Sequence, residues 1–297
     1  MHKGNDELIK HSIIITIRNI SNAIVILFFL LIISSCSNTR ILYNNSDWLI
    51  LNKIDTYFDL NNTQRLDLKV SITEFLDWHR ESELSLLVVS LEELKSRYLR
   101  GMREEDFDWI NDQYNIFRKR ILHYIEPALT TFLLTLEEKQ IRHMEQKFIE
   151  RDDWLSKQGR MTDNEVNEEN RKWFCDKIEN WLGSLNSDQI ISITSLIRID
   201  RDWIAIKLKN RNDFQKYFGS LLRSKENLSE GLHNLFHQPQ DYSDYSFTQQ
   251  KKNKKKEWED ILLKVDSITL PHQRKEAANE LQRYIDDFLL LSQEKAS

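Results

Sequence analysis

Glycine and proline are scarce in this chain, with 6 and 3 residues among 297. Sandwiches and barrels need both at their many turns, glycine for positive φ and proline for a preset first dihedral. Their shortage therefore argues against an all-β fold, and the sequence shows no convincing strand and no glycine-rich phosphate loop. Cysteine is as rare. With only Cys36 and Cys175 there is no disulfide framework. Neither sign of charge dominates either, because 42 Lys and Arg stand against 47 Asp and Glu for a net charge of −5. A polyanion partner would ask for a basic excess, so no nucleic-acid binding is expected.

An apolar run from Ala23 to Ile33 ends in Ile33-Ser34-Ser35-Cys36. Basic residues (Lys3, Lys10, Arg18) precede it, the run is short for a membrane-spanning helix, and two small residues sit just before the cysteine. This ending resembles the lipobox of bacterial lipoproteins. The resemblance implies cleavage between Ser35 and Cys36, diacylglycerol on the Cys36 thiol and a third acyl chain on the freed amine. Two or more chains anchor a protein stably, whereas one binds only marginally. Residues 1–35 are then a signal peptide, 36–46 a short lead, and 47–297 one helical domain. The alternative is an uncleaved signal anchor, or an ordinary secretory signal with a chance cysteine. Ser37 after the lipid cysteine, in place of aspartate, resembles the outer-membrane class and implies a protein facing the periplasm.

Removing 35 residues from 297 leaves 262, and losing three basic and two acidic residues takes the net charge from −5 to −6. That length suffices for one large helical domain. With Cys36 acylated, Cys175 has no intrachain partner. It lies in a run from Trp173 to Trp181 with aromatic residues at helical spacing, which reads as a buried, inert thiol.

From Trp48 onward apolar residues recur every three or four positions, the mark of amphipathic helices. One stripe runs Leu68, Ile72, Phe75, His79, Leu87, Leu91, Leu94 and Tyr98, with a bend near Ser82 to Ser85 and a stop at Gly101. The next runs Phe107, Ile110, Tyr114, Phe117, Ile121, Ile125, Ala128 and Phe132, and Pro127 within it predicts a kink. Further helical segments are expected over 137–157, 163–182, 187–237 and 249–291, the third interrupted near Gly219 or Ser224. Thr162 and Glu165 fit a capping box. A loop is expected from Gln238 to Tyr245. The fold class is all-α, as a multi-helix bundle or an elongated helical array.

Three helix starts share a Leu-x-x-x-Gln pattern: Leu60 to Gln64, Leu136 to Gln140 and Leu185 to Gln189. In the first and third, Asn61 and Asn186 serve as N-caps and the glutamine can reach back to the cap's N–H. A looser copy, Leu270 to Gln273, has Pro271 in its first turn, where the missing donor costs nothing. The copies resemble the Leu-Thr-x-x-Gln motif of periplasmic helical stress chaperones, although none has threonine in second place. Helix capping alone would also generate them, and the uneven spacing of the glutamines argues against a solenoid.

Few residues suggest chemistry. His233 and His237 stand four apart on one helix face, a spacing that suits a transition metal. Asn234 occupies the place of a zinc-protease glutamate and the sequence offers no third ligand, so a solvent-facing pair near a helix C-terminus is the preferred reading. Trp78-His79-Arg80-Glu81, and His123 with Glu126, group titratable side chains without a nucleophile. Lys251 to Lys256 holds five lysines; it is either a solvated helix face or a contact for anionic lipid, lipopolysaccharide or an acidic partner. No catalytic residue, cofactor or metal is assigned.

The segment from Cys36 to Trp48 resembles an uncharacterised family of proteobacterial helical lipoproteins. The likeness continues through Tyr57 to Leu60, Gln64-Arg65 and Phe75 to Arg80, then less specifically to Asp202-Trp203 and Gln273-Arg274. That family implies the lipid on Cys36 and a continuous helical domain, and assigns no activity. The expected function is a lipid-anchored, non-enzymatic envelope protein that binds other proteins, as a chaperone-like module. The rival is an envelope enzyme, or an accessory to one, using His79 or His123 in a cleft.

Overall fold

The computed structural model describes residues 39–198, 200–238 and 245–294, without the side chains of 153–160 and 245. Cys36 and the predicted signal peptide lie outside the described residues, as do 239–244 of the predicted loop. The described chain is all-α, with no strand among the described residues. Its helices are α1 (Thr39–Asn44), α2 (Ser46–Phe58), α3 (Asn62–Trp78), α4 (Leu84–Leu99), α5 (Glu104–Leu134) and α6 (Glu138–Arg160). There follow α7 (Asp163–Leu182), α8 (Ser187–Thr194), α9 (Arg201–Arg223), α10 (Leu228–His237), α11 (Tyr245–Ile268) and α12 (Pro271–Gln293).

Local chemistry explains most boundaries. Thr162 and Glu165 form the reciprocal capping box at the start of α7. Gly101, with φ +93°, follows the end of α4 in a conformation that L side chains rarely adopt. Where a bend was expected, near Ser82 to Ser85, α3 passes through a π-helical segment, His79–Glu83, into α4. Helix α5 continues through Pro127. Ala128, expected in the core, is exposed, and the buried stripe of α5 takes in Leu122 and Leu133 instead. The segment expected over 187–237 is broken at Ser224, as anticipated, and also between α8 and α9, where Asp200 Oδ1 accepts the Trp203 N–H at 2.8 Å as an N-cap would.

The chain divides into two compact units. The first takes the residues up to Asp77, Arg118–Ser156 and Ala205–Phe247, and the second takes Trp78–Phe117, Lys157–Ile204 and Thr248–Ser297. In the first unit, Leu122, Leu133, Met144, Leu222 and Leu228 are fully or almost fully buried, and Phe58 meets Phe132 edge-on at 5.5 Å. In the second, Phe174, Leu182, Ile193 and Val265 form a core cluster against which Trp173, Trp258 and Ile261 pack.

Each unit contains a pair of buried glutamines drawn from the Leu-x-x-x-Gln copies. In the first, Gln64 Nε2 donates to Gln140 Oε1 at 3.1 Å and Gln140 Nε2 donates to Gln64 Oε1 at 2.8 Å. In the second, Gln189 and Gln273 make the same exchange at 2.7 and 3.2 Å. Every one of these glutamines also accepts, at 3.1 Å, the backbone N–H three residues before it, from Asn61, Glu137, Asn186 and Leu270. Each amide nitrogen further donates to a carbonyl just before the partner helix: Thr135 for Gln64, Asp59 for Gln140, Ile268 for Gln189 and Ser184 for Gln273. One side chain thus caps its own helix and ties it to another. Burial makes this geometry matter, since an unmatched amide away from water is costly.

Candidate functional site

Helix α10 buries Leu228, Leu232, Leu235 and Phe236 on one face. Its 3.6-residue period turns His233 and His237 away from that face, one turn apart. Between them comes the carboxylate of Glu126, from the middle of α5. His233 Nδ1 lies 2.9 Å from Glu126 Oε1, and His237 Nε2 lies 3.0 Å from Glu126 Oε2. The two imidazole centroids are 4.4 Å apart. An ionised carboxylate only accepts, so each of those ring nitrogens carries the shared proton. Glu126 is 17 % exposed, His237 27 % and His233 55 %, so the cluster opens to solvent on the His233 side.

Helices α5 and α10 are fastened at both ends of this contact. Lys225, in the 3₁₀ turn Lys225–Asn227 before α10, donates from Nζ to the carbonyls of Leu133, Leu134 and Leu136 at 2.8–3.2 Å. A cation there binds carbonyls at and just past the C-terminus of α5, where helical donors run out. At the other end, Arg118 Nη2 donates to the Phe236 carbonyl at 2.9 Å. The two tethers require the helices to run antiparallel. Gly231 closes the back of α10: a Cβ there would collide with Leu221 of α9.

The sequence brought His233 and His237 together but paired Glu126 with His123. The structure instead joins Glu126 to both α10 histidines, while His123 is exposed. Glu126 is 107 and 111 residues from its two partners, a separation with no local signal.

The other sequence candidates take quieter roles. His79 is 2 % exposed in the π-helical segment, and burial pushes its pKa down to about 3. It is a neutral core imidazole, poorly placed to exchange protons with a substrate. Cys175 packs against the second unit's core; burial, with Glu179 and Asp176 nearby, pushes its thiol pKa up, which disfavours the reactive thiolate. In the lysine run, Lys254 bridges Asp200 and Glu257 at 2.6 Å each, Lys255 lies 3.4 Å from Glu259, and Lys256 lies 3.3 Å from both Asp260 and Glu104. Each of the three has an acid one turn further along, but only Lys255 and Lys256 are exposed; Lys254 is 16 % exposed and is held by Asp200 outside its own helix, which departs from a solvated face.

A model of the family of unknown function DUF6279 matches residues 56–248. The chain belongs to DUF6279. The match takes in Gln64, Gln140, Gln189 and the whole Glu126–His233–His237 cluster, and it starts after the Cys36 to Trp48 segment. No curated protein and no solved structure matches this DUF6279 chain.

Proposed function

We propose that this protein is a lipoprotein of the cell envelope, acylated on Cys36, whose helical body binds other proteins at the membrane surface. The observation that carries the reading is the apolar run ending in Ile33-Ser34-Ser35-Cys36, followed within three residues by helix. Helices α1 and α2 then expose Ile41 and Trp48 at 61 % and 62 %. An exposed tryptophan close to a lipid anchor suits the boundary between headgroups and acyl chains. None of the described helices is long and apolar enough to cross a membrane. Ser37 favours the outer membrane.

Protein binding is supported by apolar residues turned outward at helical spacing. Leu66 and Val70 of α3 are 67 % and 58 % exposed, while Leu68, Ile72 and Leu76 of the same helix are buried. Such a second apolar face suits a partner's apolar segment. Mass spectrometry of the membrane-extracted chain tests the anchor: a Cys36 at the mature N-terminus carrying diacylglycerol on its thiol and an acyl chain on its amine is expected, and an unacylated chain beginning at Met1 overturns it. A soluble form starting at Ser37 should suppress aggregation of a denatured client at near-stoichiometric amounts, and Leu66→Ser with Val70→Ser should reduce that suppression. Absence of suppression overturns the chaperone-like reading.

A further inference from the structure

We propose that Glu126, His233 and His237 form a binding site for one divalent transition-metal ion of the zinc type. The site stands independently of the lipid anchor and of protein binding. Two imidazoles and a carboxylate are a zinc donor set, and its three protein ligands leave a fourth position for water. The donor atoms already converge, since all lie within 4.8 Å of one another and the two carboxylate–imidazole contacts are 2.9 and 3.0 Å. With zinc–ligand bonds of about 2.0–2.2 Å, tetrahedral ligand atoms stand roughly 3.3–3.5 Å apart. Small side-chain rotations therefore separate the present arrangement from a metal-bound one. The ion replaces the two N–H···O contacts. Each histidine then presents a lone pair from the nitrogen that now carries the proton and keeps its hydrogen on the other nitrogen.

Preorganisation is the second argument. The histidines sit on a helix whose apolar face is buried and whose two ends are tethered to α5 through Lys225 and Arg118. Both ligand-bearing elements are helices, which hold donor atoms more closely than loops do. The half-exposed His233 leaves an entry path and the open coordination position.

The test uses the full chain without an affinity tag, in detergent, stripped of metal by a chelator and dialysed. Calorimetric titration with Zn²⁺ should give one equivalent bound, and Co²⁺ should give the visible absorption of a tetrahedral nitrogen–oxygen site. Glu126→Gln, which keeps the side chain's shape, and His233→Ala, at a half-exposed position, should each weaken binding roughly tenfold or more. Circular dichroism reads their folding separately. His123→Ala, three residues before Glu126 on the same helix, should bind as the parent does. The proposal is overturned if the parent chain binds neither ion at millimolar concentration, or if Glu126→Gln and His233→Ala bind with unchanged stoichiometry and affinity.

Discussion

Replacing Gln140 by alanine removes five hydrogen-bond contacts at once, two of the three from Nε2 sharing one amide N–H. Its Nε2 donates to the carbonyls of Phe58 and Asp59 and to Gln64 Oε1, and its Oε1 accepts from Gln64 Nε2 and the Glu137 N–H. Gln64 keeps its bonds to Asn61 and Thr135, so the uncompensated groups are the two carbonyls, the Glu137 N–H and one side of the Gln64 amide. A net hydrogen bond is worth about 1 kcal/mol and a dry unsatisfied group about 1–3 kcal/mol. Because Gln140 is 1 % exposed, water replaces only the outer bonds, and the expected loss is about 3–4 kcal/mol. Urea unfolding followed by circular dichroism measures it. A double-mutant cycle with Gln64→Ala should show coupling of about 1–2 kcal/mol, since the two amides share bonds. Gln140→Glu should be worse than alanine at neutral pH, because a carboxylate donates nothing to the carbonyls it faces. Protonation restores a donor to that carboxyl, so this variant should regain stability at acid pH. A loss below about 1 kcal/mol for Gln140→Ala would refute the view that the Gln64–Gln140 pair stabilises its own unit.

Three further outcomes are expected. His79 has a folded pKa of about 3 against an unfolded value near 6.5, so protons bind the unfolded state first and stability falls as the pH drops below about 6.5. Between pH 7 and pH 4.5 this should cost about 2–3 kcal/mol, a slope that His79→Phe removes in chemical unfolding at the two pH values. Asp106 is fully buried and accepts from Arg97 at 2.8 Å, Arg100 at 2.7 Å and the Arg103 N–H at 2.9 Å. Burial alone would raise its pKa, but these bonds outweigh it and hold the carboxyl below the usual range. Asp106→Asn should therefore lower the melting temperature at pH 7 by the equivalent of about 2 kcal/mol, with the difference shrinking as acid protonates the parent's carboxylate. Gly231→Ala places a methyl against Leu221 and should cost about 1–3 kcal/mol in urea unfolding, despite alanine's better helix propensity.

Helix starts were legible in the sequence because capping acts over three residues. The boxes at Asn61, Thr162 and Asn186 formed as their spacing required. What the glutamines do beyond their own helix was not legible, since each amide's second half reaches 76 or 84 residues away. The uneven spacing along the chain has a simple cause: two similar pairings, one per compact unit, lie one after the other. Capping uses only the oxygen of each glutamine, while pairing uses both the oxygen and the nitrogen, so capping alone did not account for the Leu-x-x-x-Gln copies. The second copy has Glu137 where the first and third have an asparagine cap, and Gln140 still keeps both its backbone bond and its partner. The break between α8 and α9 was missed because no glycine or proline marks it; Asp200 was its only sign.

The same divide runs through the candidate metal centre. Two histidines one turn apart are a local pattern that the sequence shows openly, and a local pattern is ambiguous between a solvated pair and a ligand pair. A third donor decides between them, and tertiary packing supplies it. Gly231 lets α10 press against Leu221, while Lys225 and Arg118 fasten α10 to α5. That packing sets Glu126 opposite the histidines. In a chain with 6 glycines, one that sits inside a helix without a turn to make marks a close approach of two helices. Gly231 is such a residue, and it lies two positions before His233. Glycine in that position, a lysine six residues earlier to cap a neighbouring helix, and histidines on the opposite face together form a signal that a search for metal motifs alone passes over.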